Sequence, residues 1–178
     1  RDGFLWQQTY NIGAPQAPVG KVRPLEEDEP AGTRIRFIPD FTVLDRNEFS
    51  FNTLSTRFRE MAFVTRKVTI TLQDERVQPI PREVTYYFEG GLRSFVSYLN
   101  RNRKEIHAPI YGEREIEIVP EESPPYFIGV ETAFQYSSSA TVTELTFANT
   151  ISTPDGGSHL TGLRSAITSV INRYARKA

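Results

Sequence analysis

The sequence predicts a mixed α+β fold in two lobes, and three observations lead there. Three segments carry apolar residues at helical spacing. Between them lie short runs of alternating, β-branched and aromatic residues that read as strands. Their order is strands, helix, hairpin, then helix, three strands, helix, and the character of the chain changes near Glu89-Gly90. The expected division is therefore residues 1–89 and 90–178.

Each element has its own reason. "FLWQQTY" (4–10) is aromatic with rough alternation and reads as a strand. "GAPQAPVG" (13–20) is a Pro/Gly loop, and "VRPLEEDEPAG" (22–32) a charged surface loop. In "TRIRFIPD" (33–40), Thr33, Ile35 and Phe37 face one way and Arg34 and Arg36 the other, as in a strand. Residues 51–65 place Phe51, Leu54, Phe58, Met61 and Ala62 on one helical stripe, with Ser50 as N-cap. "KVTITLQDE" (67–75) and "EVTYYFE" (83–89) form a hairpin across "RVQPIPR". "GGLRSFVSYLNRNRK" (90–104) reads as a helix burying Leu92, Phe95, Val96 and Leu99, with Arg93, Arg101 and Lys104 on the opposite face. "PIYGEREIEIVP" and "YFIGVETAFQY" are strands separated by "EESPP", and "VTELTFANT" is a third. A final helix, capped by Ser158, buries Leu160, Leu163, Ile167, Ile171 and Tyr174. Arg164 flanks that stripe, whereas Arg173 and Arg176 lie round the other side.

Composition narrows the function classes. The chain has 178 residues and no cysteine, which excludes disulfides, zinc–cysteine sites and thiol catalysis and suits a cytoplasmic setting. His107 and His159 are the only histidines, too few for a histidine-rich metal site. No apolar run suggests a membrane span. Arg1-Asp2-Gly3 does not read as a signal peptide, and the start reads as a cut inside a longer chain. The net charge is −1, but the charge is unevenly spread. Residues 92–104 and 160–178 carry arginine and lysine and no acid, while acids gather at 26–29 and 113–122. Arginine's planar fork suits phosphate, though basic residues also decorate solvated helix faces.

Chemistry alone assembles no active site. No phosphate-loop motif occurs. Ser158 and His159 are adjacent on a helix and point about 100° apart, which does not suit a nucleophile–base pair. Glu60, Asp74 and Glu75 read as solvated charge. The two glycines before Ser158 are either a turn or an anion cradle at a helix start, and the turn is the simpler reading.

The strings "GFLWQQTYNIGAPQAPV", "GTRIRFIPD", "LSTRFREMAFV", "YYFEGGLRSFVSYLN" and "TFANTISTPDGGSHLTGLRSAITSVINRYARK" resemble, in the same order, the B subunits of DNA gyrase and the related topoisomerase IV. The resemblance implies an ATP- and Mg2+-dependent type II DNA topoisomerase. Residues 1–89 would be the end of its ATPase lobe and 90–178 most of a ribosomal-protein-like transducer lobe with a βαβ unit. The implied partners are double-stranded DNA, the gyrase A subunit and a second B subunit. By the same resemblance Thr33 would contact adenine, Arg1 would lie at the pocket rim where coumarins bind, and Arg164 would line a DNA cavity. Arg93, Arg101 and Arg173 are extended to that cavity from their charge. The family's catalytic glutamate and magnesium-binding asparagine would precede Arg1, and its Gln-x-Lys loop would follow Ala178, so the segment alone is expected to be inactive. Three stretches depart from the pattern: Thr150 in "FANTI", the serines of "QYSSSATVTE", and "QPIPREV". Two other readings stand beside the resemblance, a nucleic-acid-binding module without ATP chemistry and a purely structural α+β domain.

Overall fold

The computed structural model describes residues 1–44 and 48–177. The chain divides into two compact units, Arg1–Phe49 and Ser50–Ala178.

In the first unit, β1 (Phe4–Gln7) pairs antiparallel with β4 (Gly20–Pro24), with a register shift between Leu5 and Trp6. Between them β2 (Tyr10–Asn11) and β3 (Ala14–Pro15) form a tight hairpin. Both central residues of its turn, Ile12 and Gly13, have positive φ (50° and 77°), the backbone that right-twisted two-residue hairpins require. Residues 33–40, expected as a strand, are not one. Their alternation is real, but Ile35, Phe37 and Ile38 are exposed and no strand of this unit pairs with them. A strand needs a ladder partner for its backbone groups as well as a suitable pattern.

The second unit starts with α1 (Phe51–Val64). Ser50 caps it as expected, its side chain accepting from the Thr53 N–H at 3.3 Å. Next come the antiparallel hairpin β5 (Ile70–Asp74) and β6 (Arg82–Tyr86), then α2 (Gly91–Asn100). The long hairpin β7 (Ile110–Ile118) and β8 (Tyr126–Phe134) follows in unbroken register from Ile110↔Phe134 to Ile118↔Tyr126. Last are the short pair β9 (Phe147–Ala148) and β10 (Ile151–Ser152) and the helix α3 (Ser158–Ala175).

The class is α+β. Every strand pairing among the described residues is antiparallel, and each is made between neighbours in sequence or around one nested hairpin. The βαβ unit expected within 90–178 requires a parallel strand pair, and the pairs among the described residues there, β7–β8 and β9–β10, are antiparallel. Short connections close such ladders at the smallest entropic cost. Two elements are shorter than their patterns suggest. α2 stops at Asn100 rather than running to Lys104, and only Phe147–Ala148 of the expected 142–150 strand is paired.

The core lies between α1, α2 and the β5–β6 hairpin. Phe63 is its centre, 1% exposed. Its ring stacks on Phe88 at 3.6 Å and on Phe95 at 4.6 Å, with Tyr98 tilted at 5.4 Å. Burial of one such ring contributes about 1.5–3 kcal/mol. Ala62 on α1 is also fully buried and lets the helices approach. The expected stripe holds at Phe51, Leu54 and Phe58, which are half-buried, and at Ala62, but Met61 is exposed and Phe63, outside the stripe, carries the core.

Candidate functional site

α3 and the turn before it contain the Gly-Gly motif that raises the question of a site. Gly156 (φ 76°) and Gly157 (φ 153°) both adopt conformations that L side chains rarely take. A Cβ on Gly156 would lie 3.0 Å from the Leu160 side chain, and one on Gly157 2.9 Å from the His159 ring. The glycines are a turn folded tightly under its own helix. Ser158 does not cap α3. It is the first helical residue, Gly157 takes the cap position, and no side chain caps the helix. His159 is turned back instead, with Nε2 3.3 Å from the Thr153 hydroxyl. The hydroxyl of Thr153 donates to that of Thr146 at 2.8 Å, which in turn donates to the Thr153 carbonyl at 2.6 Å. His159 thus fixes the helix start to the β9–β10 hairpin. The turn of that hairpin, Asn149-Thr150, has positive φ at both residues (47° and 72°). Asn suits such a site and the β-branched Thr150 does not.

The arginines fall into different settings. Arg164 pairs with Glu144 through two bonds, Nη2 to Oε1 at 2.7 Å and Nε to Oε2 at 3.3 Å, and its side chain is 65% exposed. Arg173, with Arg176, Lys177, Ser169 and Asn172, lines a shallow depression near the C-terminal end of α3. Arg93 and Arg101 are not in one row. The Arg93 guanidinium lies 4.8 Å from the centre of the Tyr111 ring, on β7. Arg101 lies 4.1 Å from the Tyr98 ring and donates to the Tyr98 carbonyl at 2.7 Å. One turn of helix separates Arg101 from Tyr98, so that contact is local.

A second polar cluster carries no signal in the sequence. Arg66, just past the end of α1, donates from Nη2 to Glu113 at 2.6 Å and lies 2.9 Å from Glu131. It also donates to the Tyr111 hydroxyl, which can donate to either carboxylate. The Tyr111 and Arg66 bonds hold the Glu113 carboxyl below its usual range. Burial and these same acceptors push the Tyr111 hydroxyl up. Nearby, Arg59 lies against the rings of Tyr86 (5.6 Å) and Tyr98 (5.4 Å) and donates to the Tyr98 hydroxyl. Its Nε is buried without a partner.

The two positions expected to meet nucleotide or its pocket rim, Thr33 and Arg1, lie in the first unit. Thr33 is exposed, in irregular backbone. Arg1 is exposed, 3.6 Å from the Asp2 carboxylate, and its carbonyl accepts from the Trp6 indole N–H at 3.1 Å. Thr33 fits an adenine contact in chemistry, since a hydroxyl both donates and accepts. Among the described residues no group of three or more His, Asp and Glu side chains could hold a metal ion. No helix there is long and apolar enough to cross a membrane.

Comparison with known proteins shows what the chain is similar to. The family model described as DNA gyrase B matches residues 91–178. The B subunit of DNA gyrase from Clostridium acetobutylicum is 40% identical over 177 residues, covering 99% of this chain and 26% of the relative. The B subunit of DNA topoisomerase 4 from Streptococcus pneumoniae is 36% identical over 178 residues, with the same coverage of each. The chain thus spans about a quarter of the length of these relatives. Among solved structures, the 43K ATPase domain of Thermus thermophilus gyrase B, in complex with an aminocoumarin, superposes with a TM-score of 0.70 at 27% identity. That match covers 99% of this chain and 45% of the other. The order of the matching strings, the α+β architecture and these similarities agree, and the chain belongs to the DNA gyrase B family.

Proposed function

We propose that this chain is part of the B subunit of a DNA gyrase and serves to couple ATP binding and hydrolysis to DNA strand passage and negative supercoiling. The observation that carries the reading is the 40% identity to a gyrase B subunit along 99% of the chain. Residues 1–89 belong in this reading to the ATPase lobe and 90–178 to the transducer lobe. Thr33 contacts adenine, and Arg1 stands at the pocket rim. ATP brings the phosphoanhydride whose hydrolysis drives the cycle, and Mg2+ accompanies its phosphates. This chain's own part is the adenine contact and the mechanical link. The A subunit, a second B subunit and double-stranded DNA complete the assembly.

Arg164, Arg173, Arg93 and Arg101 face DNA in this reading. Local positive potential attracts phosphate even where net charge is near zero. Support comes from α3, where Arg173, Arg176 and Lys177 gather with no acid in 160–178. Arg164 pairs with Glu144 yet its side chain remains largely exposed.

The test uses the full-length protein with its A-subunit partner. ATP-dependent introduction of negative supercoils into relaxed plasmid is expected. Efficient decatenation without supercoiling would move the protein to the topoisomerase IV branch, which the Streptococcus pneumoniae relative represents. DNA binding with no ATP turnover would leave only a nucleic-acid-binding module. Within an active enzyme, Thr33→Ala is expected to weaken ATP binding by about 1–2 kcal/mol, because its buried partner loses a hydrogen bond. Calorimetry showing unchanged affinity in a folded variant would remove Thr33 from the adenine site.

A further inference from the structure

We infer that Arg66 is a conformational latch that fastens the β7–β8 hairpin to the paired helices α1 and α2. Four elements meet at this one guanidinium. Arg66 comes from the chain just after α1, where the Thr65 N–H bonds to the Met61 carbonyl at 2.8 Å and Lys67 turns the backbone through a positive φ of 63°. Its stem crosses the start of α2 directly over Gly91. A Cβ there would lie 2.5 Å from the Arg66 Cγ and 2.7 Å from its Cδ, so only glycine leaves the path open. The head then reaches Glu113 on β7 and Glu131 on β8, which face each other across the ladder. Tyr111 lies beneath, its ring 5.3 Å from the Arg66 guanidinium and 4.8 Å from that of Arg93 on α2.

The chemistry suits a latch rather than a permanent weld. The three charged side chains stay 39%, 58% and 28% exposed, so water can replace each bond as it breaks. Such pairs are individually weak and screened by salt. The contacts to both carboxylates and to the phenol converge on one nitrogen, Nη2, while the guanidinium lies 5.3 Å from the centre of the Tyr111 ring. A flat guanidinium can pack against that ring while its end reaches the acids, which a compact ammonium does less well. Position gives the latch its use. All three charged residues lie in the second compact unit, but Arg66 precedes the 89/90 boundary of the proposed gyrase B reading and both glutamates follow it. On the proposed reading as a gyrase B segment, the latch transmits movement from the ATPase part to the transducer part. That consequence, though not the latch itself, rests on the reading.

Two arms test it. In the first, hydrogen exchange of the 178-residue chain is followed for Arg66→Gln. Amides of β7 and β8 are expected to exchange roughly three- to tenfold faster, while those of β5–β6 keep their rates. Raising KCl from about 0.05 to about 0.5 M should move the wild-type hairpin toward the variant's rates and leave the variant unchanged. Glu131→Gln should reproduce the effect. Equal exchange in wild type and variant, or a salt response that persists in Arg66→Gln, overturns the latch. In the second arm, full-length enzyme carrying Arg66→Gln is expected to keep ATP turnover within about twofold and to introduce fewer supercoils per ATP. Unchanged coupling beside a loosened hairpin overturns the transmission role. A wild-type enzyme without ATPase activity would instead defeat the functional reading, and the exchange arm would still decide the latch.

Discussion

α2 and α3 start alike and end differently. α2 starts at the second glycine of a Gly-Gly pair and α3 just after one, each has apolar residues at helical spacing, and each carries arginine. α2 buries Gly91, Phe95 and Asn100, and Asn100 donates to Gln135 at 2.9 Å. α3 is nearly twice as long and buries no residue at all. Leu160, Leu163 and Ile167 are half-buried, and Val170, Ile171 and Tyr174 are exposed. The arginines differ in the same way: Arg93 of α2 and Arg101 just past its end lie on tyrosine rings, whereas Arg164 of α3 pairs with an acid and Arg173 lines a shallow depression. An amphipathic stripe therefore predicts that a helix can pack, not that it has something to pack against.

The sharpest way to break this comparison is to empty the two stripes in turn. Phe95→Ala should cost about 3–5 kcal/mol, since it removes one ring of the Phe88–Phe63–Phe95 stack. Leu163→Ala should cost less than about 1 kcal/mol, because a half-buried side chain gives up only part of its burial. Urea unfolding of the two variants measures both, and equal losses would mean that α3 has a buried partner after all. A smaller effect with opposite signs is expected from two glycines. Gly91→Ala places a Cβ against Arg66 at a φ of 54° and should destabilise by about 1–3 kcal/mol. Gly162 in α3 has open space around it, so Gly162→Ala should stabilise by about 0.5–1 kcal/mol through helix propensity alone. Thermal melts that shift in the same direction for both would contradict the contrast. The smallest change in stability concerns Arg164. Its pair with Glu144 is exposed, so Arg164→Gln should alter stability by about 1 kcal/mol or less. If Arg164 faces DNA, the same variant lowers DNA-stimulated ATPase in the full enzyme and reduces the salt slope of duplex binding by about one. A lower melting temperature with normal DNA stimulation would make Glu144 its only business.

Much of this was legible in the chain. Ser50 marked the start of α1, Phe95 the buried side of α2, and the β5–β6 hairpin and the separate β7 and β8 strands stood out by composition. Each carries a local signal in the sequence: a capping residue, an apolar helical spacing or an alternating run. The Arg66 cluster was invisible for the opposite reason. Residues 66, 111, 113 and 131 have no common spacing, and only the hairpin register brings Glu113 opposite Glu131. Gly90-Gly91 was the one trace of it, and its meaning needs the Arg66 stem above. The "TRIRFIPD" segment failed as a strand because alternation records which side is apolar and says nothing about whether a neighbouring strand exists. Arg93 and Arg101 left their expected common face because an aromatic ring within reach holds a guanidinium more closely than solvent does.

The nested and adjacent pairing of the strands has a consequence in time. Gln7 faces Gly20, Asp74 faces Arg82, Ile118 faces Tyr126 and Ala148 faces Ile151, so each ladder closes over a short stretch of chain. Hairpins of this kind form in microseconds, and helices faster still. The aromatic stack must wait, because Phe63, Phe88 and Phe95 come from both sides of the β5–β6 hairpin. In a stopped-flow refolding experiment the far-ultraviolet circular dichroism should therefore recover within the dead time, and the near-ultraviolet signal of the stacked rings should follow as a separate, slower phase.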